Sequence, residues 1–109
     1  MKIVNNLTPS EAATSLQEEK AILVDVREQN EFDQIRIPGT LHVPLSQFRP
    51  DAIPDGGDKR IVFICAHGVR SGTAGQFMLD EGHLEQAYSV IDGFMGWSAA
   101  GLPFDVSTA

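Results

Sequence analysis

Arg60-Ile61-Val62-Phe63-Ile64-Cys65-Ala66-His67-Gly68-Val69-Arg70-Ser71 decides how this chain is read. Its first half is a continuous apolar run, without the alternation of a half-exposed strand. Such a run reads as a strand buried on both faces, the usual lot of strands in a parallel sheet. The run stops at Cys65. Beyond it come a glycine, two potential cations and a hydroxyl, none suited to a buried continuation. A helical stretch carrying Ala74, Phe77, Met78 and Leu79 is expected to start some six residues after the cysteine, capped by Ser71 or Gly72 and closed near Gly82.

The same alternation continues outward. Ala21 to Val26 and Ala87 to Ile91 read as further buried strands, and Leu41-His42-Val43 as a short one. Thr8-Pro9-Ser10-Glu11 opens a helix with a capping box and a proline at its first position. Asn30 to Gln34 reads as one helical turn capped by Asn30, and Asp92-Gly93 turns into a last helix through Trp97 that Gly101 and Pro103 end. Residues 49–59, dense in Pro, Gly and Asp, read as an exposed loop. Strands alternating with helices define an α/β domain around a mostly parallel sheet. Ligands of such folds bind beyond the carboxyl ends of the strands. Two strands here finish in chemistry on that rim, one at Asp25-Val26-Arg27 and one at Cys65.

The chain of 109 residues suits a single domain, 1–109, with its core over about 5–105. Fifteen acidic residues against eight Lys and Arg leave a net charge of −7, which repels phosphate backbones and anionic lipid. No nucleic-acid or membrane partner is therefore expected. One cysteine leaves no intrachain disulfide and no CxxC pair. The opening MKIVNN has no apolar core of a secretory signal, and no run reaches the ~18 apolar residues of a spanning helix, so a cytoplasmic protein is expected.

Cys65 has two readings. A lone cysteine after an apolar run is most often a small core hydrophobe. The loop that follows argues instead for a nucleophile. A strand–loop–helix can turn its amides inward beside a helix N-terminus, which carries a partial positive charge and binds anions. Thiols in such settings titrate at about 3.5–7.5 rather than about 8.5, and the expectation is a reactive thiolate. Gly68 lets the loop curl through conformations closed to other residues. Arg70 adds a fixed cation there, or else is a surface charge paired with a carboxylate.

These residues resemble a known family. Cys65-Ala66-His67-Gly68-Val69-Arg70-Ser71 is similar to the active-site loop of the rhodanese-like sulfurtransferases, Cys-x-x-Gly-x-Arg-Ser. Leu23-Val24-Asp25-Val26-Arg27-Glu28, then Glu31-Phe32 and Ile37-Pro38-Gly39-Thr40, resembles the family's first signature. Asp92-Gly93-Phe94 with Trp97 and Gly101-Leu102-Pro103 resembles its ending. The four blocks keep the family's order over about residues 5 to 105. The resemblance implies a central, mostly parallel sheet with helices on both faces. It implies that Cys65 takes a sulfane sulfur from a donor such as thiosulfate, becomes a persulfide, and passes the sulfur to cyanide, a thiol or a protein acceptor. No separate cofactor is implied, because the sulfur rides on Cys65. Ala66, His67, Gly68, Val69 and Arg70 would hold the donor, with Arg27 at the mouth. Asp25 and Ser71 would support the site, Asp25 through an ion pair at the rim.

His67 reads as a loop side chain tuning access and charge, since a thiolate held by the cradle needs no general base. Cys65 with His42, His67 and His83 matches no metal-ligand spacing, and no metal is expected. Phe94, Met95 and Trp97 read as core, and Asp80, Glu81 and Glu85 as solvated surface. The sequence departs from the family at Arg36, where a His is usual, and at Ala66, where many members carry Arg. The cradle therefore has fewer fixed charges, which bears on the donor rather than on the persulfide step. Two other functions compete: an idle binding or regulatory module on the same fold, and a phosphatase or arsenate reductase. The intact Cys65, Gly68 and Arg70 argue against the first. The second uses Cys-x5-Arg, a loop one residue longer than the one here.

Overall fold

The computed structural model describes residues 1–107. Five strands form one parallel sheet: β1 (Asn5–Leu7), β2 (Ala21–Asp25), β4 (Leu41–His42), β5 (Arg60–Ile64) and β6 (Tyr88–Val90), in the order β1-β6-β5-β2-β4. Helices α1 (Pro9–Gln17), α2 (Gln29–Gln34) and α3 (Val69–Asp80) lie between these strands along the chain, and α4 (Gly93–Ala99) follows β6.

The period of two along the strands sorts the core into two layers. Val24, Val26, Ile61, Phe63 and Cys65 face one way and pack against Ala74, Met78 and Leu79 of α3. Leu23, Val62, Ile64 and Val90 face the other way, against Ala12 of α1 and Phe94 and Trp97 of α4. Helices therefore cover both faces, as parallel strands buried on both sides require. Cys65 keeps the α3 face of the strand it ends.

β2 continues to β4 on one side, whereas β5 continues to β6 on the other. The chain thus changes direction between β2 and β5, the position where open α/β sheets leave a crevice at their carboxyl edge. Asp25 and Ile64 are paired in register there, and the Val26 N–H bonds the Ile64 carbonyl at 2.9 Å.

The Thr8 capping box is formed in both directions, Glu11 N to Thr8 Oγ1 at 3.1 Å and Thr8 N to Glu11 Oε1 at 2.8 Å. Several local expectations are corrected. Helix α2 begins at Gln29 with Glu28 as its cap, not Asn30, and the Glu28 N–H is bonded by Glu31 Oε1 at 2.9 Å. Helix α3 begins at Val69, four residues after Cys65, with Gly68 rather than Ser71 or Gly72 at its cap. The segment 49–59 is not wholly exposed: Pro50–Ala52 forms a short 3-10 turn that buries Ile53. Strand β1 and the antiparallel pair β3 (Ile35–Arg36) and β7 (Asp105–Val106) carry no sequence signal, being two or three residues long and half polar. Their partners make them strands. Among the described residues no helix is long and apolar enough to cross a membrane.

Candidate active site

Cys65 ends β5 on the floor of the crevice and is 1% exposed. The chain then curls through Gly68, whose φ of +99° lies in the region that favours glycine. This curl aims two amides at the sulfur: Gly68 N–H donates to Sγ at 3.1 Å and Ser71 N–H at 3.2 Å. Both favour negative charge on that atom. Among the described residues, the N–H groups of Ala66, His67, Val69 and Arg70 find no acceptor, in a loop and first helical turn that have no earlier carbonyls to bond. The cradle expected from sequence is present, built from Gly68 and the first turn of α3.

What holds it from beneath is a pair of serines. Ser71 and Ser89 are buried, at 0% and 2% exposure, and their hydroxyls lie 2.7 Å apart. Ser71 Oγ also donates to the Gly68 carbonyl at 3.1 Å and lies 3.4 Å from Sγ. Ser89 sits opposite Phe63 in register, so its side chain shares the α3 face with Cys65. Sequence reading missed Ser89, since one serine in an apolar strand has no distinguishing pattern.

From the side, α4 clamps the loop. Phe94 N–H donates to the Cys65 carbonyl at 2.7 Å, and Met95 N–H to the Ala66 carbonyl at 3.1 Å. A Cβ on Gly93 would fall 2.2 Å from the Cys65 carbonyl oxygen, so only glycine allows this approach. Phe94 and Trp97 are buried as expected, but Met95 is 58% exposed and joins the surface beside His67.

The cations are placed differently from expectation. Arg27 does not stand at the mouth. It is 3% exposed, with Nε and Nη2 bonded to Asp25 at 2.8–3.0 Å and Nη2 to the Ile35 carbonyl at 2.6 Å. Desolvation drives this arrangement, because a buried guanidinium needs an opposite charge to offset the water it loses. Arg27 is thus a rim brace with Asp25, buried away from the mouth. Arg70 is half-buried near the sulfur, and both arms of its fork hold Glu31, Nη1 to Oε1 at 2.7 Å and Nη2 to Oε2 at 3.0 Å. These bonds hold the Glu31 carboxyl down to about 2 and raise the Arg70 guanidinium further, with the nearby Cys65 adding a smaller upward push. Glu31 is 39 positions from Arg70, and nothing local in the sequence announces the pair.

His67 is exposed on the loop. His42 stacks on Phe32 at 4.1 Å and bonds the Arg27 carbonyl at 2.8 Å, and His83 lies beside Phe77. Arg36 covers the other ring contact of Phe32, 4.8 Å from its centroid.

A parallel sheet whose central strand ends in a cysteine within an amide loop defines the rhodanese-like class, and the chain belongs to the rhodanese-like domain family, which matches residues 8–100. It is 33% identical over 101 residues to a protein of Actinobacillus succinogenes named thiosulfate sulfurtransferase GlpE, covering 93% of this chain and 90% of that one. A protein of the same name from Haemophilus influenzae is 34% identical over 101 residues, covering 93% and 94%. A rhodanese-related protein from Thermoplasma volcanium superposes with a TM-score of 0.79 at 24% identity, over 94% of this chain and 99% of that one.

Proposed function

We propose that this protein is a sulfurtransferase that carries sulfane sulfur on Cys65. The observation that carries the reading is the sulfur itself, met by the Gly68 and Ser71 amides at the end of a central strand. Relatives named thiosulfate sulfurtransferase at 33–34% identity over nine-tenths of the chain support it.

In the first step the Cys65 thiolate attacks the outer sulfur of thiosulfate. The new S–S bond forms as the old one breaks, and sulfite departs with the electron pair. The persulfide that remains ends in a negative sulfur. Amides of Ala66, His67, Val69 and Arg70 are the donors free to hold the incoming anion and that terminal sulfur. In the second step cyanide, a thiolate or a protein thiol attacks the outer sulfur and restores the Cys65 thiolate. Electrons balance over the cycle without a metal or a redox cofactor. Arg70 contributes charge and Ser71 shape; Arg27 and Asp25 hold the strand end.

The test is intact-protein mass spectrometry with and without thiosulfate. The expected result is a gain of one sulfur atom, lost on adding cyanide and absent from Cys65→Ser. No gain in a folded wild type would overturn the reading and leave a binding module on the same fold.

A further inference from the structure

We propose that Glu31 determines donor specificity: by occupying Arg70 it keeps the mouth of the site electrically neutral and biases the site towards monoanionic sulfane donors over dianionic thiosulfate. The inference rests on the sulfurtransfer reading for its substrates, but not for its charge argument.

Arg27 and Arg70 are each held in an ion pair. Arg27 is committed to buried Asp25. Arg70, the cation at the loop, is committed to Glu31 through both arms of its fork, with the two side chains 32% and 30% exposed. Glu31 is itself fixed, since its Oε1 also accepts the Glu28 N–H at the start of α2. Glu28 is the next charge outward and is negative, bonded by the Ser46 backbone and hydroxyl. At the loop an arriving anion therefore finds backbone amides and an arginine already paired with Glu31, on a protein of net charge −7. Amides hold one negative charge well. A second charge on the donor has only Arg70 to meet it, and must take that contact from Glu31.

A tie between α2 and α3 would explain the ion pair without any role in specificity. The two roles differ in what they do to charge at the sulfur. Cys65 is the only cysteine, so alkylation reads this site alone. Iodoacetamide and iodoacetate displace iodide by the same attack and differ by one negative charge. Their rate ratio cancels exposure and intrinsic reactivity of the sulfur. Glu31→Gln, which keeps one acceptor for Arg70, should raise the iodoacetate-to-iodoacetamide ratio about fivefold or more, and less at high salt. Arg70→Gln should lower the ratio. The double variant, neutral again, should return close to wild type. A purely structural tie would move both reagents together and leave the ratio unchanged in all three.

The donor arm compares thiosulfate with methanethiosulfonate, in which a methyl group replaces one charged oxygen and the leaving group is methanesulfinate. The preference for the monoanion in kcat/KM should fall by about tenfold or more in Glu31→Gln, the scale of one charge-assisted hydrogen bond. An unmoved alkylation ratio overturns the inference whatever the turnover. A moved ratio without turnover of either donor supports Glu31 as the setter of charge and overturns the sulfurtransfer reading instead. A moved ratio with an unchanged donor preference overturns the specificity claim.

Discussion

Replacing Gly93 by alanine should do more damage than the same change at any other glycine of this chain. The residue has a φ of +55°, where an L side chain costs about 1–2 kcal/mol. The added Cβ would also lie 2.2 Å from the Cys65 carbonyl oxygen and 2.9 Å from both the carbonyl carbon and oxygen of Ala66. Those atoms are backbone and cannot rotate away. Helix α4 must therefore lift from the loop, stretching the Phe94 N–H bond to Cys65 and the Met95 N–H bond to Ala66. Each buried group left without its partner costs about 1–3 kcal/mol. The expected loss is about 3–8 kcal/mol in all, a fall in Tm of at least about 12 °C for a domain of this size. Gly101→Ala is the control. Its φ is +74° but no atom lies within 4 Å of the new methyl, so it bears the backbone cost alone. Thermal and urea unfolding of the two variants would measure the difference, and iodoacetamide labelling would report a loosened Cys65. Equal stability losses in the two would refute the clamp and reduce Gly93 to an ordinary left-handed turn.

Ser71→Ala should cost about 1–3 kcal/mol in urea unfolding, because it strands the buried Ser89 hydroxyl, and Ser89→Ala should cost less, because Ser71 Oγ keeps the Gly68 carbonyl, whereas the double variant should cost less than the two together; additive losses would deny the coupling. Glu31, held down to about 2 from the ordinary 4.5, contributes stability that is complete above about pH 4.5 and is lost as pH falls towards 2. After discounting for its partial exposure that share is about 1–2 kcal/mol. Arg70→Ala should remove this share of the acid dependence, and identical urea midpoints against pH in the two proteins would contradict the pairing. The same variant should lower kcat/KM with thiosulfate by about ten- to a hundredfold, partly because Glu31 is left uncompensated beside the loop. Arg70→Lys should recover only part, since an ammonium keeps the charge but not the fork; full activity in Arg70→Ala would assign anion binding to the amides alone.

Local chemistry was written in short stretches of the chain. The apolar runs ending at Asp25 and Ile64 required a buried parallel sheet, because an unbroken apolar strand is stable only when both its faces are covered. Thr8 to Glu11 set a helix start by contacts three residues apart. Gly68 after Cys65 marked a tight curl of the backbone, and the curl is there. Each of these depends on neighbours in sequence, and so was legible. The rest depended on which distant residues the sheet brings together. Arg27 and Arg70 are indistinguishable as sequence, both arginines near a strand end. Burial commits one to Asp25 within the rim, and helix α2 brings Glu31 to the other across 39 positions. Ser89 reached the floor of the site only through its register with Phe63, and Gly93 became indispensable only where α4 docks on the Cys65 carbonyl. Sequence determined the sheet, the place of Cys65 at a strand end and its loop, since covalent order and hydrophobic period act locally. The charge at the mouth and the supports beneath the sulfur belong to the tertiary structure, because electrostatics and packing act through space.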